Sequence, residues 1–280
     1  MVARSARRRS ASARSAGRRA ASSRLMSGLA RAGLLARGVM YGLIGIIAVQ
    51  IALGTSHQQA DRSGALRLVA ATRFGTAILW LLAIGFAGLT LWRLSEAAFG
   101  AAGPDGRKTS ARLICLAKAV IYGVVTYSIL RYALGLGAPT STNRQSQDLT
   151  ATALQHPGGQ AAVAIAGLII GGVGLYLGYQ AYKRTFLREL RMGTASPATR
   201  RAVTWFGQAG GLARGAVFLT VGVFLVVAAV EAKPGQAKGI DSALRALADT
   251  PLGPWLLGLV AIGLVIFGVY SCCEARWRQV

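Results

Sequence analysis

Apolar residues in this chain gather into six stretches, at roughly 32–54, 74–98, 112–136, 159–183, 206–231 and 252–275, with short polar gaps between them. Each is close to the ~20 residues that a helix rising 1.5 Å per residue needs to cross a hydrocarbon core, so the pattern predicts six transmembrane helices. Turn formers punctuate the gaps. Gly103, Pro104, Asp105 and Gly106 separate the second and third stretches, Pro139 follows the third, Pro157 and Gly158 precede the fourth, and Pro197 falls between the fourth and fifth. Pro251 and Pro254 stand at the start of the sixth, where a missing N–H costs little.

The six stretches also come in pairs that repeat. Arg37, Lys118 and Arg214 head the first member of each pair, and four residues on stand Tyr41, Tyr122 and Phe218. The second members align without gaps through Gly75, Gly159 and Gly253, through Trp92, Tyr176 and Tyr270, and finally through Glu96, Gln180 and Glu274. Residues four apart share a helical face, so each second helix presents an aromatic and a polar residue together. Because every unit holds two spans, all three insert the same way round. The expectation is an all-α polytopic membrane protein of three parallel two-helix hairpins in a pseudo-threefold arrangement, which argues against a transporter of inverted repeats. The predicted divisions are a tail at 1–30 and repeats at 31–100, 107–185 and 202–278.

Composition agrees with a membrane setting: 53% of residues are apolar and 15% charged, where a soluble chain carries about 25% charged. The charge is one-sided, with 32 Lys and Arg against 9 Asp and Glu, so the surroundings should be anionic. Residues 1–30 form an Arg, Ser and Ala tail without an acid, predicted to be disordered and drawn to anionic headgroups. It reads first as a topology signal. A nucleic-acid-binding arm, which the lack of interleaved aromatics counts against, and an organellar transit peptide are the other readings. A secretory signal peptide fits poorly, since the apolar segment that follows is long enough to span.

Lys and Arg in short loops resist translocation. The tail, the loop 99–112, the loop 183–201 and the C-terminal Arg276 and Arg278 therefore define a cytoplasmic side. Both termini are expected there, in a multi-pass protein of the plasma (inner) membrane. The Trp residues, mostly near span ends, fit an interfacial belt.

The helix-head and helix-end motif, Arg37-Gly38 followed by Tyr41 and closed by Glu96, with its counterparts in the other two units, resembles the DUF1206 repeat family of actinobacterial integral membrane proteins. The resemblance covers roughly residues 30 to 278. It implies three two-helix units in a membrane and carries no activity to named positions. Unit two departs from the motif, with Lys118 for Arg and Gln180 for Glu.

An ionised group within a span costs about 2.5–3.5 kcal/mol at the helix centre, so such groups face the bundle and find partners. Hairpin geometry places the head of a first helix and the end of a second at similar depth. It predicts the pairs Arg37–Glu96, Lys118–Gln180 and Arg214–Glu274, either as staples within and between repeats or as a charged ring around a pathway that selects anions or relays protons. Glycines spaced at four, such as Gly38 and Gly42, Gly167 and Gly171, Gly174 and Gly178, and Gly207, Gly211 and Gly215, predict close helix packing, with a leftover face free for self-association into a homo-oligomer.

Catalytic signals are thin. His57 and His156 fall in segments across the membrane from Cys115, Cys272 and Cys273, so they cannot share a metal site, and adjacent Cys272 and Cys273 do not bond each other. No HExxH, CxxC, Walker or GxSxG pattern occurs. The chain thus reads as a non-enzymatic structural or accessory membrane protein without catalytic residue, cofactor or metal, its basic cytoplasmic face meeting anionic lipid, nucleic acid or an acidic partner. The alternative is a small channel or carrier whose pathway is lined by the basic and acidic residues.

Overall fold

The computed structural model describes residues 24–100, 108–193, 195–248 and 253–278, and those residues are helical with short connections. The expectations for most of the Arg-rich tail and for the Gly103–Gly106 turn lie outside them. Nine helices follow in order among the described residues: α1 (Arg24–Ala52), α2 (Arg62–Ala70), α3 (Gly75–Phe99), α4 (Thr109–Ala133), α5 (Thr142–Leu154), α6 (Gly159–Tyr182), α7 (Pro197–Val230), α8 (Ile240–Ala248) and α9 (Gly253–Trp277). Six of them, α1, α3, α4, α6, α7 and α9, are long and apolar enough to cross a membrane.

Two features extend the sequence reading. Helix α1 begins at Arg24, so the end of the expected tail at 1–30 is already helical. Helix α7 begins at Pro197, well before the apolar stretch: Ser196 caps it by accepting from the Thr199 N–H, and Pro197 fills the first turn. The second feature was not expected at all. Each gap between the two spans of a repeat carries a short helix, α2, α5 or α8, too short and too polar to register as a span.

Those short helices account for Gly75 and Gly159 among the aligned glycines. A Cβ at Gly75 would lie 2.6 Å from the Ala70 carbonyl oxygen, and one at Gly159 would run into the Ala153 carbonyl. The chain turns from the short helix directly into the second span, and only glycine lets the two backbones come that close.

The chain divides into two compact units. In the first, described over residues 24–37, 76–100, 108–137 and 274–278, α1 lies on α3 through glycine: a Cβ at Gly33 would come within 2.7 Å of both the Gly85 carbonyl oxygen and the Leu89 Cβ. Gly85 faces Ala36 and Gly88 faces the Leu29 carbonyl in the same seam. Helix α4 joins α3 through Thr90 and Thr126, whose hydroxyls are 3.4 Å apart, and through the rings of Phe86 and Tyr122. Arg112 ties the start of α4 to the end of α3, donating to the Ala97 carbonyl at 2.7 Å and the Ala98 carbonyl at 3.0 Å. Those are the orphan carbonyls of a helix C-terminus, where a cation is favoured.

The second unit, residues 38–75 and 138–273 where described, holds the other seams. Gly38 and Gly45 of α1 meet Gly268, Val265 and Ala261 of α9, the two helices running antiparallel. Gly167, Gly171 and Gly174 of α6 meet Val226, Gly222, Leu219 and Gly215 of α7. Gly210 of α7 lies under Phe267 of α9. Helix association in lipid lacks a hydrophobic drive and depends on such close contact, which is why glycines, four apart at the α6–α7 seam, line these contacts.

Candidate functional site: the charged helix heads

Arg37, Arg93, Glu96 and Glu274, charged residues within the spans, come together in the first unit, though not in the predicted pairs. Arg37, Arg93 and Glu274 are all buried. Arg37 donates through Nη2 to Glu274 Oε2, and Arg278 donates through Nη1 to Glu274 Oε1, so one carboxylate is shared by two guanidinium groups. Arg93 Nη1 reaches Glu96 Oε2 at 2.6 Å. The Trp92 ring lies beneath both systems, 4.1 Å from the Arg93 guanidinium carbon and 5.1 Å from that of Arg278. Glu96 also accepts from the Cys115 thiol at 3.6 Å. The result is a belt of alternating charge around one indole.

The predicted pairs Arg37–Glu96 and Arg214–Glu274 are therefore not the ones formed. Glu96 serves Arg93, one turn away on its own helix, and leaves Arg37 to Glu274. Glu274 serves Arg37 and Arg278 and leaves Arg214 without it. Gln180 donates to the Tyr176 hydroxyl at 2.8 Å, again on its own helix, while Lys118 is exposed on α4. Equal depth, the basis of the prediction, was necessary and not sufficient. Which helices touch decides the partner: Gly38 against Gly268 brings the middle of α1 to the last third of α9, the first repeat to the third. Arg93 and Arg278 were overlooked although their i,i+3 and i,i+4 spacing to Glu96 and Glu274 was readable.

In the second unit Arg214 sits in an aromatic cage. Its guanidinium carbon is 4.9 Å from the Phe267 ring centre, 5.7 Å from Phe218 and 5.9 Å from Tyr41. The rings extend as a ladder, Tyr41 edge-on to Phe267 at 4.8 Å, Phe267 beside Tyr270 at 5.9 Å, and Tyr270 edge-on to Phe186 at 5.3 Å. Among the described residues no carboxylate pairs with Arg214, and its Nε is buried without a hydrogen-bond partner.

The second unit also holds a polar ring built by the three short helices. Asp61, fully buried, caps its own α2 by accepting from the Ser63 and Gly64 amides at 2.8 and 3.1 Å. Its other oxygen accepts from the Thr142 amide and hydroxyl at 2.7 and 2.8 Å, at the start of α5. Asn143 of α5 accepts from the Gly239 amide at 2.7 Å, at the start of α8, and donates to the Ser242 hydroxyl at 2.6 Å. Asp241 of α8 accepts from the Ala60 amide at 2.8 Å, at the start of α2. The cycle closes, each repeat satisfying the helix start of the next, and it realises in the caps the threefold character of the sequence. Arg62 lies beside Asp61, and burial draws its guanidinium below the usual value while the Asp61 charge opposes the shift.

Among the described residues no group of three or more His, Cys, Asp or Glu is placed to hold a metal ion. Six apolar spans, a thrice-repeated hairpin and a short helix capping each hairpin define a multi-pass membrane protein of internal repeats. Comparison with known proteins gives the family: the domain of unknown function DUF1206 matches residues 32–100, 114–184 and 209–278, three times in one chain, and the protein belongs to it. A similar protein is Uncharacterized protein YxxB of Bacillus subtilis (strain 168), 28% identical over 249 residues, covering 88% of this chain and 88% of that one. No solved structure matches.

Proposed function

We propose that the protein is a non-enzymatic accessory protein of the plasma membrane, with both termini cytoplasmic, whose basic cytoplasmic face gathers anionic lipid headgroups. One observation carries this reading: the basic residues divide by environment. Arg37 and Arg93, buried in the spans, are consumed by Glu274 and Glu96, so the belt spends its charge on holding helices together. Lys183, Arg184, Arg188 and Arg191 in the segment that follows α6, and Arg200 and Arg201 near the start of α7, are all exposed. Each cation near an anionic surface contributes about 1 kcal/mol of attraction, so the segment is a strong local anchor for acidic lipid. The formal charge of +23 supports the same choice of partner.

The test is reconstitution into nanodiscs of mixed phosphatidylcholine and phosphatidylglycerol, with co-purifying lipid measured by mass spectrometry. Enrichment of phosphatidylglycerol is expected, and it should fall when the six cations become Gln. Equal lipid composition in both proteins would remove the recruiting role. Ion flux above that of empty liposomes, changed by Arg37→Gln, would replace the accessory reading with a channel or carrier.

A further inference from the structure

The basic heads of the first and third repeats meet different fates, and the difference points to a ligand. Arg37 has Glu274, whereas Arg214, at the repeat-equivalent position, has three aromatic rings and no carboxylate among the described residues. Rings attract a cation without neutralising it, so the Arg214 site keeps a full positive charge inside the membrane segment. Its Nε is buried and unpartnered. Among the described residues no hydrogen bond or ion pair to its terminal nitrogens is found, which leaves the fork of the half-buried guanidinium available to a bidentate acceptor.

Depth and access suit an anion from the basic side. Arg214 stands about 24 Å along α7 from Val230, so a hydrocarbon core of about 30 Å places it only about 6 Å inside the other boundary. The rings of Phe267, Tyr270 and Phe186 run in contact from the cage to the one-turn 3₁₀ helix Thr185–Glu189. That turn lies among the exposed Lys183, Arg184 and Arg188, a local positive field that concentrates anions at the foot of the ladder.

We propose that Arg214 is an anion-binding site that holds one phosphate group through its guanidinium fork, with the aromatic cage fixing the plane of the fork. A free inorganic phosphate and the headgroup phosphate of an anionic lipid share that chemistry. Arg is suited to it and Lys less so, because the fork matches two phosphate oxygens while an ammonium offers a point charge.

The experiment is thermal melting of the full chain, first in uncharged detergent with rising inorganic phosphate at ionic strength held constant with sodium chloride, then in nanodiscs of phosphatidylcholine with and without phosphatidylglycerol. A ligand bound by the folded state alone raises the melting temperature. The expected result is a rise of several degrees that Arg214→Gln abolishes. A rise with inorganic phosphate assigns the site to the free ion, and a rise only with phosphatidylglycerol assigns it to the lipid. Arg214→Lys keeps a cation in the cage and should fold, with the half-saturating concentration raised several-fold. No rise with either source, or rises unchanged in both variants, would overturn the proposal. Since this readout is local to Arg214, the six-cation variant of the Lys183–Arg201 segment can lose lipid enrichment while the Arg214 response survives, or the reverse.

Discussion

The belt around Glu274 and the ring around Asp61 solve the same problem by different means. Both join repeats distant in sequence, and both bury acidic side chains. Glu274 is satisfied by two guanidinium groups, so its partners are themselves charged, Arg37 buried and Arg278 half-buried. Asp61 is satisfied by backbone amides and hydroxyls at two helix starts, where the helix dipole favours a negative charge, and the Arg62 guanidinium lies beside it without a direct hydrogen bond to carry the pairing. The belt is therefore electrostatically brittle, because removing one member strands another charge. The ring is geometrically demanding and electrically mild. Breaking each in turn separates the two modes.

The largest effect is expected at the belt. Glu274→Ala removes the carboxylate shared by buried Arg37 and half-buried Arg278, and losing one partner of a buried pair costs about 3–5 kcal/mol. The thermal melt in detergent should fall accordingly. A second variant sharpens the point: Arg37→Met combined with Glu274→Leu replaces the charges with apolar volume, and most of the loss should be recovered. If the double variant melts as low as Glu274→Ala, the deficit comes from packing and the belt is not electrostatic in origin.

Asp61→Ala comes next, at about 2–3 kcal/mol, from the loss of two helix caps. Its signature is distinctive. Hydrogen exchange should quicken at Ser63 and Gly64 in α2 and also at Thr142 in α5, because one carboxylate serves both. Faster exchange confined to α2 would mean that the link between repeats contributes nothing.

The spans, their pairing and the glycine seams were legible because each depends on composition over many residues or on periodicity along one helix. The aligned Gly75 and Gly159 were visible as a repeat, but their cause, a short helix pressed against each span start, was not. Helices α2, α5 and α8 were missed because 9 to 13 residues with ordinary polarity look like loop, although Asp61 two residues before Ser63 is a readable cap. The belt was legible in membership and illegible in pairing. Arg37, Glu96 and Glu274 stood out as charges in apolar surroundings, but hairpin depth alone could not choose between Glu96 and Glu274. That choice depends on α1 meeting α9, a contact between the ends of the chain that no local pattern encodes.

Smaller again is the effect of crowding one glycine seam. A Cβ at Gly222 would run into the Gly171 amide and lie 2.7 Å from the Gly167 carbonyl oxygen, backbone that cannot step aside. Gly222→Ala should cost about 1–3 kcal/mol through forced separation of α6 and α7. Hydrogen exchange in both helices should rise while the belt, built in the other unit, keeps its protection. A uniform rise across both units would indicate that the protein unfolds as one body.

Arg214→Leu should do least to stability, and that is its value. The rings around Arg214 contribute about 0.5–2 kcal/mol of cation–π attraction, but holding an uncompensated cation at that depth costs a similar amount, so exchanging it for an apolar side chain nearly cancels. The melting temperature without added anion should stay within about 1 kcal/mol of wild type. Arg37→Leu, the same substitution at the equivalent position of the first repeat, should fall much further because Glu274 loses one of its two partners. Equal losses in the two variants would show that Arg214 carries a structural pairing of the same weight as the belt. A large loss at position 37 beside a small one at 214 would separate a cation that holds helices together from one that does not, the division on which the anion site at Arg214 rests.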